Sequence, residues 1–114
     1  MLGVNKVYLV GHLGGDPQAQ TAKSGKGFIR LNLATNRSRK KESGGFEKIC
    51  DWHNVTVWGR QGEACLQYLK KGSKVMIEGY LSHYEGTDKN GEARKYSGVT
   101  AHTVEFFDRT ASAA

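Results

Sequence analysis

The sequence is poor in the residues that mark disulfide scaffolds and membrane spans. Its 114 residues include only two cysteines and one proline, and no apolar run approaches the length of a membrane helix. Two cysteines cannot supply the dense bridges that hold small secreted domains together. The first residues also lack the apolar stretch of a signal peptide. We therefore expect a cytoplasmic protein of one domain, with no membrane partner.

Acidic residues are scarce in the first third of the chain. Residues 1–41 contain eight lysines and arginines but a single acid, Asp16, whereas the rest contains nine bases and ten acids. The net charge of +6 therefore comes from the N-terminal part. A run of charged residues is often only a solvated loop, but this uneven excess favours a polyanionic partner such as a nucleic acid.

One segment, residues 50–60, has an unusual pattern for a β-strand. Alternation would place His53, Val55 and Val57 on one face, which suits half of a core. The other face would carry Trp52, Asn54, Thr56, Trp58 and Arg60. Aromatic rings beside a cation can stack on the bases of a single strand while neutralising its phosphates. The segment alone leaves an equal alternative, in which both tryptophans cover a second core or a subunit contact.

Hydrophobic periodicity predicts five strands, at residues 4–10, 28–36, 50–60, 74–81 and 94–107, and a helix at 61–71. This order is that of an all-β, five-stranded oligonucleotide-binding (OB) barrel with one short helix between strands 3 and 4. In that fold the surface of strands 2 and 3 and the neighbouring loops bind oligonucleotides. The tryptophan segment and the basic residues before it fall at those places.

The connections between the strands carry further signals. Residues 18–27 are predicted to form a polar loop, and residues 37–48 a long, mobile, charged connection. Asn90–Gly91 is typical of a tight hairpin turn. Apolar residues change parity between Ala101 and Val104, which predicts a β-bulge near residues 102–103.

No catalytic or metal site is favoured by the pattern. Cys50 and His53 could form half of a zinc site, but the remaining histidines and Cys65 supply no second pair at a regular spacing. Cys65 is interpreted as a core residue. The sequence also lacks a phosphate-binding loop and a dinucleotide fingerprint. We expect no enzyme activity, no metal and no cofactor.

Several motifs, taken together, resemble the bacterial single-stranded DNA-binding proteins over residues 3–106. They are GVNKV at 3–7, VGHLGGDP at 10–17, LAT at 33–35, WHNV at 52–55, WGR at 58–60, YLKKGS at 68–73 and IEG at 77–79. The resemblance implies an OB-fold subunit, usually of a homotetramer, that binds single-stranded DNA without sequence preference in replication, recombination and repair. It implies base stacking on Trp52 and Trp58, a subunit contact at His53, and a bacterial, nucleoid-associated location.

Charge placement, alternation and the resemblance together select the candidate site residues. The domain is expected to span residues 1–109, followed by a frayed end at 110–114. His53 is the candidate for the subunit interface. The candidates for nucleic-acid binding are Trp52, Trp58, Arg60, Tyr84, Lys6, Arg30, Arg37, Arg39, Lys40, Lys41, Lys48, Lys71 and Arg94.

Three features depart from the pattern of the family that the chain resembles. Arg39 and Gly86 stand where the family commonly has tryptophans, and the chain has no acidic C-terminal tip. We therefore expect binding to rely on ion release more than on stacking, and no recruitment of replication or repair enzymes through the C-terminus. The alternatives are a dimeric primosome-type OB accessory protein and a module that binds a peptide on its tryptophan face.

Overall fold

Antiparallel pairing connects all the neighbouring strands described in this chain except one pair. The computed structural model describes residues 2–107, so the predicted frayed end lies outside the described residues. The elements are β1 (Val7–Leu13), β2 (Gln18–Thr21), β3 (Gly27–Lys40), β4 (Phe46–Trp58), α1 (Gly59–Tyr68), β5 (Lys74–Thr87) and β6 (Ala93–Phe106).

The strands close into a barrel. Their order is β1-β5-β6-β4-β3-β2, and β1 pairs a second time with β3 at His12 and Leu13. β4 and β6 are the one parallel pair among these elements, joined at Val55 with Val99. Strands β1 and β2 follow one another across the bend at residues 14–17, and both pair with β3. The predicted five-stranded OB barrel is confirmed, with its helix between β4 and β5.

Strict alternation on β3 and β4 fills the barrel interior. Leu31, Leu33, Val55 and Val57 are at most 1% exposed, and they meet side chains from the other strands and from α1. Burial of such side chains is the main stabilising term of a small domain. Cys65 of α1 is fully buried, and this burial raises the pKa of its thiol to about 11. Its interpretation as a core residue is confirmed.

Two segments predicted as loops are wrong in part, because both pair with a neighbouring strand. Residues 18–21 form β2, whose exposed polar side chains give no apolar alternation to detect. Residues 37–48 continue β3 and β4 in register to Lys40 opposite Phe46, leaving only residues 41–45 as the turn. Gly44 and Gly45 have φ of +94° and +78°, a region that glycine adopts without steric cost.

Several boundaries also differ from the expectation. β1 begins at Val7 rather than Val4. Before it, the Asn5 side chain takes the place of a paired strand: its amide donates to the Leu81 carbonyl and its oxygen accepts from the Leu81 N–H. The helix begins at Gly59, two residues early, and β5 runs on to Thr87.

Two local predictions on the last hairpin are confirmed. Glu78 pairs with Thr103 and Gly79 with Ala101, which leaves His102 as the extra residue of a bulge. The Gly91 N–H donates to the Asp88 carbonyl across the Asn90–Gly91 turn.

Glycines at two strand contacts allow the barrel to close. A Cβ on Gly79 would overlap the Thr100 carbonyl, and a Cβ on Gly11 would overlap the Ala34 carbonyl. Both neighbours are backbone atoms, which cannot turn aside as a side chain can. These glycines are therefore required by close approach of two strands.

We expect Gly79→Ala to lower the free energy of unfolding by roughly 2 kcal/mol or more, because the added methyl group forces two paired strands apart. Urea denaturation followed by circular dichroism measures this change. Gly3→Ala is the matched control, since nothing lies within 4 Å of the place where its Cβ would be, and it should stay within about 0.5 kcal/mol. Equal midpoints for both variants would contradict the steric argument.

Candidate nucleic-acid interface

The faces of β3 and β4 that point away from the core form one continuous surface, called here the outer face. Side chains opposite each other in an antiparallel register lie on the same side of a sheet. Phe28 lies opposite Trp58, Arg30 opposite Thr56, Asn32 opposite Asn54 and Ala34 opposite Trp52. The predicted association of both tryptophans with polar side chains on one face is therefore confirmed.

An aromatic pair occupies one end of the outer face. The ring centroids of Phe28 and Trp58 are 5.0 Å apart, with an angle of 47° between their planes. The Lys26 ammonium lies 5.9 Å from the Trp58 ring, and the Arg30 guanidinium 5.5 Å from the Phe28 ring. Trp58 is 36% exposed, so part of its ring surface remains available. Sequence reasoning missed Phe28 and Lys26, although Phe28 shares the alternation of Arg30.

A second aromatic pair lies on the β5–β6 hairpin. Tyr84 lies opposite Tyr96, and the two rings are stacked with centroids 5.6 Å apart and planes at 26°. The Tyr96 ring lies 3.1 Å from the place where a Cβ of Gly86 would be. The aromatic surface expected to be missing at Gly86 is thus supplied from the neighbouring strand. Tyr96 was not predicted, because its contribution depends on the register of β5 with β6.

A groove of about 450 Å³ lies between the two aromatic pairs and is called here the aromatic groove. Its walls carry rings, hydroxyls and cations. The lining residues include Lys23, Phe28, Arg30, Thr56, Trp58, Ser82, Tyr84 and Thr100. Flat rings and cations in one open groove suit unstacked bases joined by phosphates.

A smaller groove of about 240 Å³ lies on the other side of Arg30 and is called here the amide groove. It is lined by Gly15, Asp16, Gln18, Gln20, Arg30, Asn32 and Asn54. Beyond it stands Trp52, which is 59% exposed and whose ring covers Gly14 at the bend between β1 and β2. The two predicted tryptophans thus stand at opposite ends of a path that crosses both grooves.

The charged hairpin of β3 and β4 presents its cations on two different faces. Arg37 and Arg39 have the parity of the core residues, and they form ion pairs with Asp51 and Glu47 at 2.8 Å each. Lys40 and Lys48 have the parity of Trp52 and therefore extend the outer face. The basic run therefore presents its charges on two faces, because it is a strand rather than a loop, and its contact with nucleic acid stays a prediction. Lys41 lies in the turn.

The other predicted cations line neither groove. Arg60 stands in the first turn of α1 rather than on the tryptophan strand, since the strand ends at Trp58. Lys6 pairs with Glu78 at 3.0 Å, and this hydrogen bond raises the pKa of Lys6. Lys71 lies beside the bend after β1, where its backbone N–H donates to Asp16.

Arg94 lies near the start of β6, opposite Gly86, and pairs with Asp88 of the β5–β6 turn at 2.8 Å. The Arg94 guanidinium and two backbone N–H groups lower the pKa of the Asp88 carboxyl. Because this pKa is lowered on folding, the contact stabilises the hairpin at neutral pH and is lost as pH falls through the folded-state pKa.

His53 lies on the core-side face of β4, past the mouth of the barrel. It is half-buried and hydrogen-bonded to the Thr35 hydroxyl at 2.9 Å. Val55 and Val57 are fully buried in the same barrel, so they have no surface to offer a second copy. The prediction that these valines form part of a core is confirmed.

Within residues 2–107, no three histidine, cysteine or acidic side chains are grouped so that they could hold a metal ion. Cys50 and His53 point to opposite faces of β4, because they lie three positions apart on a strand whose side chains alternate. Among the same residues, no helix has the length and apolar character needed to cross a membrane.

Comparison with known proteins agrees with this geometry. The chain is 40% identical over 95 residues to single-stranded DNA-binding protein 1 of Chlorobaculum tepidum, covering 83% of this chain and 59% of that protein. It is 36% identical over 103 residues to the single-stranded DNA-binding protein of Xanthomonas campestris, covering 90% and 60%. The chain thus spans about three fifths of the length of these relatives.

Solved structures share the fold. A complex of Plasmodium falciparum SSB with single-stranded DNA superposes with a TM-score of 0.79 at 23% identity, covering 95% of this chain and 98% of that one. A deletion mutant of the single-stranded DNA binding protein from Thermus aquaticus gives 0.78 at 30% identity, covering 94% and 52%. The sequence profile of the single-strand binding protein family, a family of non-enzymatic DNA-binding proteins, matches residues 4–107. This chain belongs to the single-strand binding protein family.

Proposed function

We propose that the chain binds single-stranded DNA without strong sequence preference and protects it during replication, recombination and repair. The observation that carries this proposal is the aromatic groove, in which Phe28 and Trp58 face Tyr84 across a space with Arg30 at its edge. Every base has a π face, so stacking tolerates sequence. The family membership of the chain supports the same ligand.

The open form of the groove favours unpaired bases over a duplex. In a duplex the base faces are stacked on each other and cannot reach Trp58 or Tyr84. An extended single strand can place successive bases on separate rings while its phosphates contact nearby cations. Lys23 and Lys26 stand beside the groove, and Lys40 and Lys48 extend the outer face beyond Trp52.

We also propose that copies of the chain associate as a homotetramer. The outward side of β1 carries Tyr8 and Val10, which are 61% and 49% exposed, and Tyr80 of neighbouring β5 is 43% exposed. Exposed apolar side chains gathered on one side of a small domain favour association there, and the Lys6–Glu78 ion pair lies among them. His53 remains a candidate for a further subunit contact. The two sequence relatives named above are bacterial, which supports action at the bacterial nucleoid in the cytoplasm.

Removing a groove tryptophan should weaken binding. We expect Trp58→Ala to cost about 1–3 kcal/mol in affinity for oligo-dT, because one stacked base is lost. Trp52→Ala should cost a similar amount, and oligo-dT should quench the tryptophan emission of the wild type far more than duplex DNA does. Tyr68→Ala on α1 is the matched control, since Tyr68 is 67% exposed and lines neither groove. Fluorescence titration showing wild-type affinity for both tryptophan variants would make this face structural rather than binding.

The two faces of the β3–β4 hairpin should differ in their effect on salt dependence. Replacing Lys40 and Lys48 together by alanine should flatten the log–log salt slope by about 1.4, since each phosphate contact on a single strand contributes about 0.7. Replacing Arg37 and Arg39 by alanine should change the slope less, because these arginines lie on the other face and are paired with acids. Titrations at four salt concentrations compare the variants. A larger slope change for the arginine pair, or a wild-type slope too shallow for any phosphate contact, would count against the proposed path.

The proposed association surface can be tested in the absence of DNA. We expect the wild type to scatter light as a tetramer at micromolar concentration, and Val10→Glu to shift it towards smaller species, because a charge buried between copies is costly. Leu66→Glu on α1 is the control for introducing an acid at an exposed apolar position, as Leu66 is 47% exposed. A wild type that is monomeric would overturn the proposed tetramer, and an unchanged mass for Val10→Glu would move the contact elsewhere.

A further inference from the structure

Arg30 stands between the aromatic groove and the amide groove and lines both of them. Its Nε is buried and, among the described residues, is the one buried side-chain nitrogen or oxygen without a hydrogen-bond partner. A buried donor without an acceptor is unfavourable, and more so when it carries charge. Such a donor in a binding face indicates a ligand acceptor at this position.

The Arg30 guanidinium lies over the ring of Phe28, with its central carbon 5.5 Å from the ring centroid. A cation at this distance from an aromatic face is attracted electrostatically by the ring. A planar fork of this kind binds the paired oxygens of a phosphate better than a lysine ammonium does. The residue is therefore suited to one fixed phosphate rather than to a diffuse charge.

The amide groove has a different chemistry. Its side chains include the carboxamides of Gln18, Gln20, Asn32 and Asn54, and within residues 2–107 these four amides have no protein partner. Each amide offers a donor and an acceptor, as the edges of the bases do. Asp16 also lines this groove, and its negative charge disfavours a phosphate there. The groove thus suits a neutral base edge.

We propose that Arg30 and the amide groove form a nucleotide subsite in which Arg30 holds a phosphate and Asn32 and Asn54 hydrogen-bond the Watson–Crick edge of the adjoining base. This subsite rests on the proposed binding of single-stranded DNA and adds edge recognition to it without selecting one base, because each carboxamide offers both a donor and an acceptor. The following base enters the aromatic groove and stacks. The chain therefore senses whether a base edge is free, which stacking alone cannot do.

The first test uses oligo-dT and the same oligomer built from N3-methylthymidine, which keeps the ring and the phosphates but blocks the base edge. Wild type should bind the methylated oligomer about 10-fold more weakly, as expected when a paired base-edge contact is lost. The double variant Asn32→Ala with Asn54→Ala should bind both oligomers equally. Gln67→Ala on α1, which removes an exposed amide away from both grooves, should keep the wild-type difference.

The second test concerns Arg30 itself. Arg30→Lys preserves the charge but removes Nε and the planar fork, so oligo-dT affinity should fall about 10-fold while the salt slope stays near that of the wild type. The midpoint temperature of thermal unfolding should be unchanged or slightly higher than that of the wild type, because an unpartnered buried donor is removed. Equal affinity of Arg30→Lys and wild type would overturn the role of Arg30.

The outcomes separate the subsite from the function on which it rests. If wild type binds oligo-dT and its N3-methyl form equally, edge recognition is refuted while single-stranded DNA binding stands. If wild type does not bind oligo-dT at all, the proposed function fails, and the subsite fails with it. A 10-fold difference that persists in the double variant would place edge contact elsewhere and overturn this assignment.

Discussion

The uninterrupted register between β3 and β4 is the constraint on which both the core and the outer face depend. Thirteen successive pairs run from Phe28 opposite Trp58 to Lys40 opposite Phe46 without a bulge. Since side chains alternate along each strand, one register assigns every residue of both strands to a face. Leucines and valines fill the barrel on one side, and rings, amides and Arg30 cover the other. A shift by one residue would exchange the two sets, so the hydrophobic core itself enforces the geometry of the outer face.

This constraint also separates charges that are neighbours in the sequence. Arg37, Arg39 and Lys40 form one basic run, yet alternation directs the arginines to one side and the lysine to the other. The arginines then meet Asp51 and Glu47, which occupy the same side of β4. Exposed pairs of this kind contribute little to stability, but they reduce the positive charge that the arginines can offer a phosphate. Net charge in a sequence segment is therefore a poor guide to charge on a surface.

The fold could be predicted from the sequence largely because its signals are local and periodic. The alternation of Ile29, Leu31 and Leu33 identified β3, and the parity change after Ala101 located the bulge at His102. The Asn90–Gly91 pair signals a turn by residue type alone, because asparagine and glycine tolerate a positive φ. Strand β2 was missed because its four residues are exposed and carry no apolar pattern. It exists because the edge of β3 offers hydrogen bonds, a cause that lies outside the segment itself.

The candidate site was predictable only where one strand presents it. Trp52 and Trp58 follow from alternation on β4, whereas Phe28 and Tyr96 depend on which residues face them across the sheet. This difference alters the expected balance between stacking and ion release. Tyr84 stacks on Tyr96 at the hairpin, and Phe28 lies beside Trp58. The chain therefore offers more aromatic surface than is expected when Gly86 and Arg39 are interpreted only as lost tryptophans. Stacking is insensitive to salt, while phosphate contacts weaken as salt rises. Because two arginines are paired with acids and two aromatic pairs flank one groove, we expect stacking to contribute more, relative to ion release, than the linear arrangement of charge indicates.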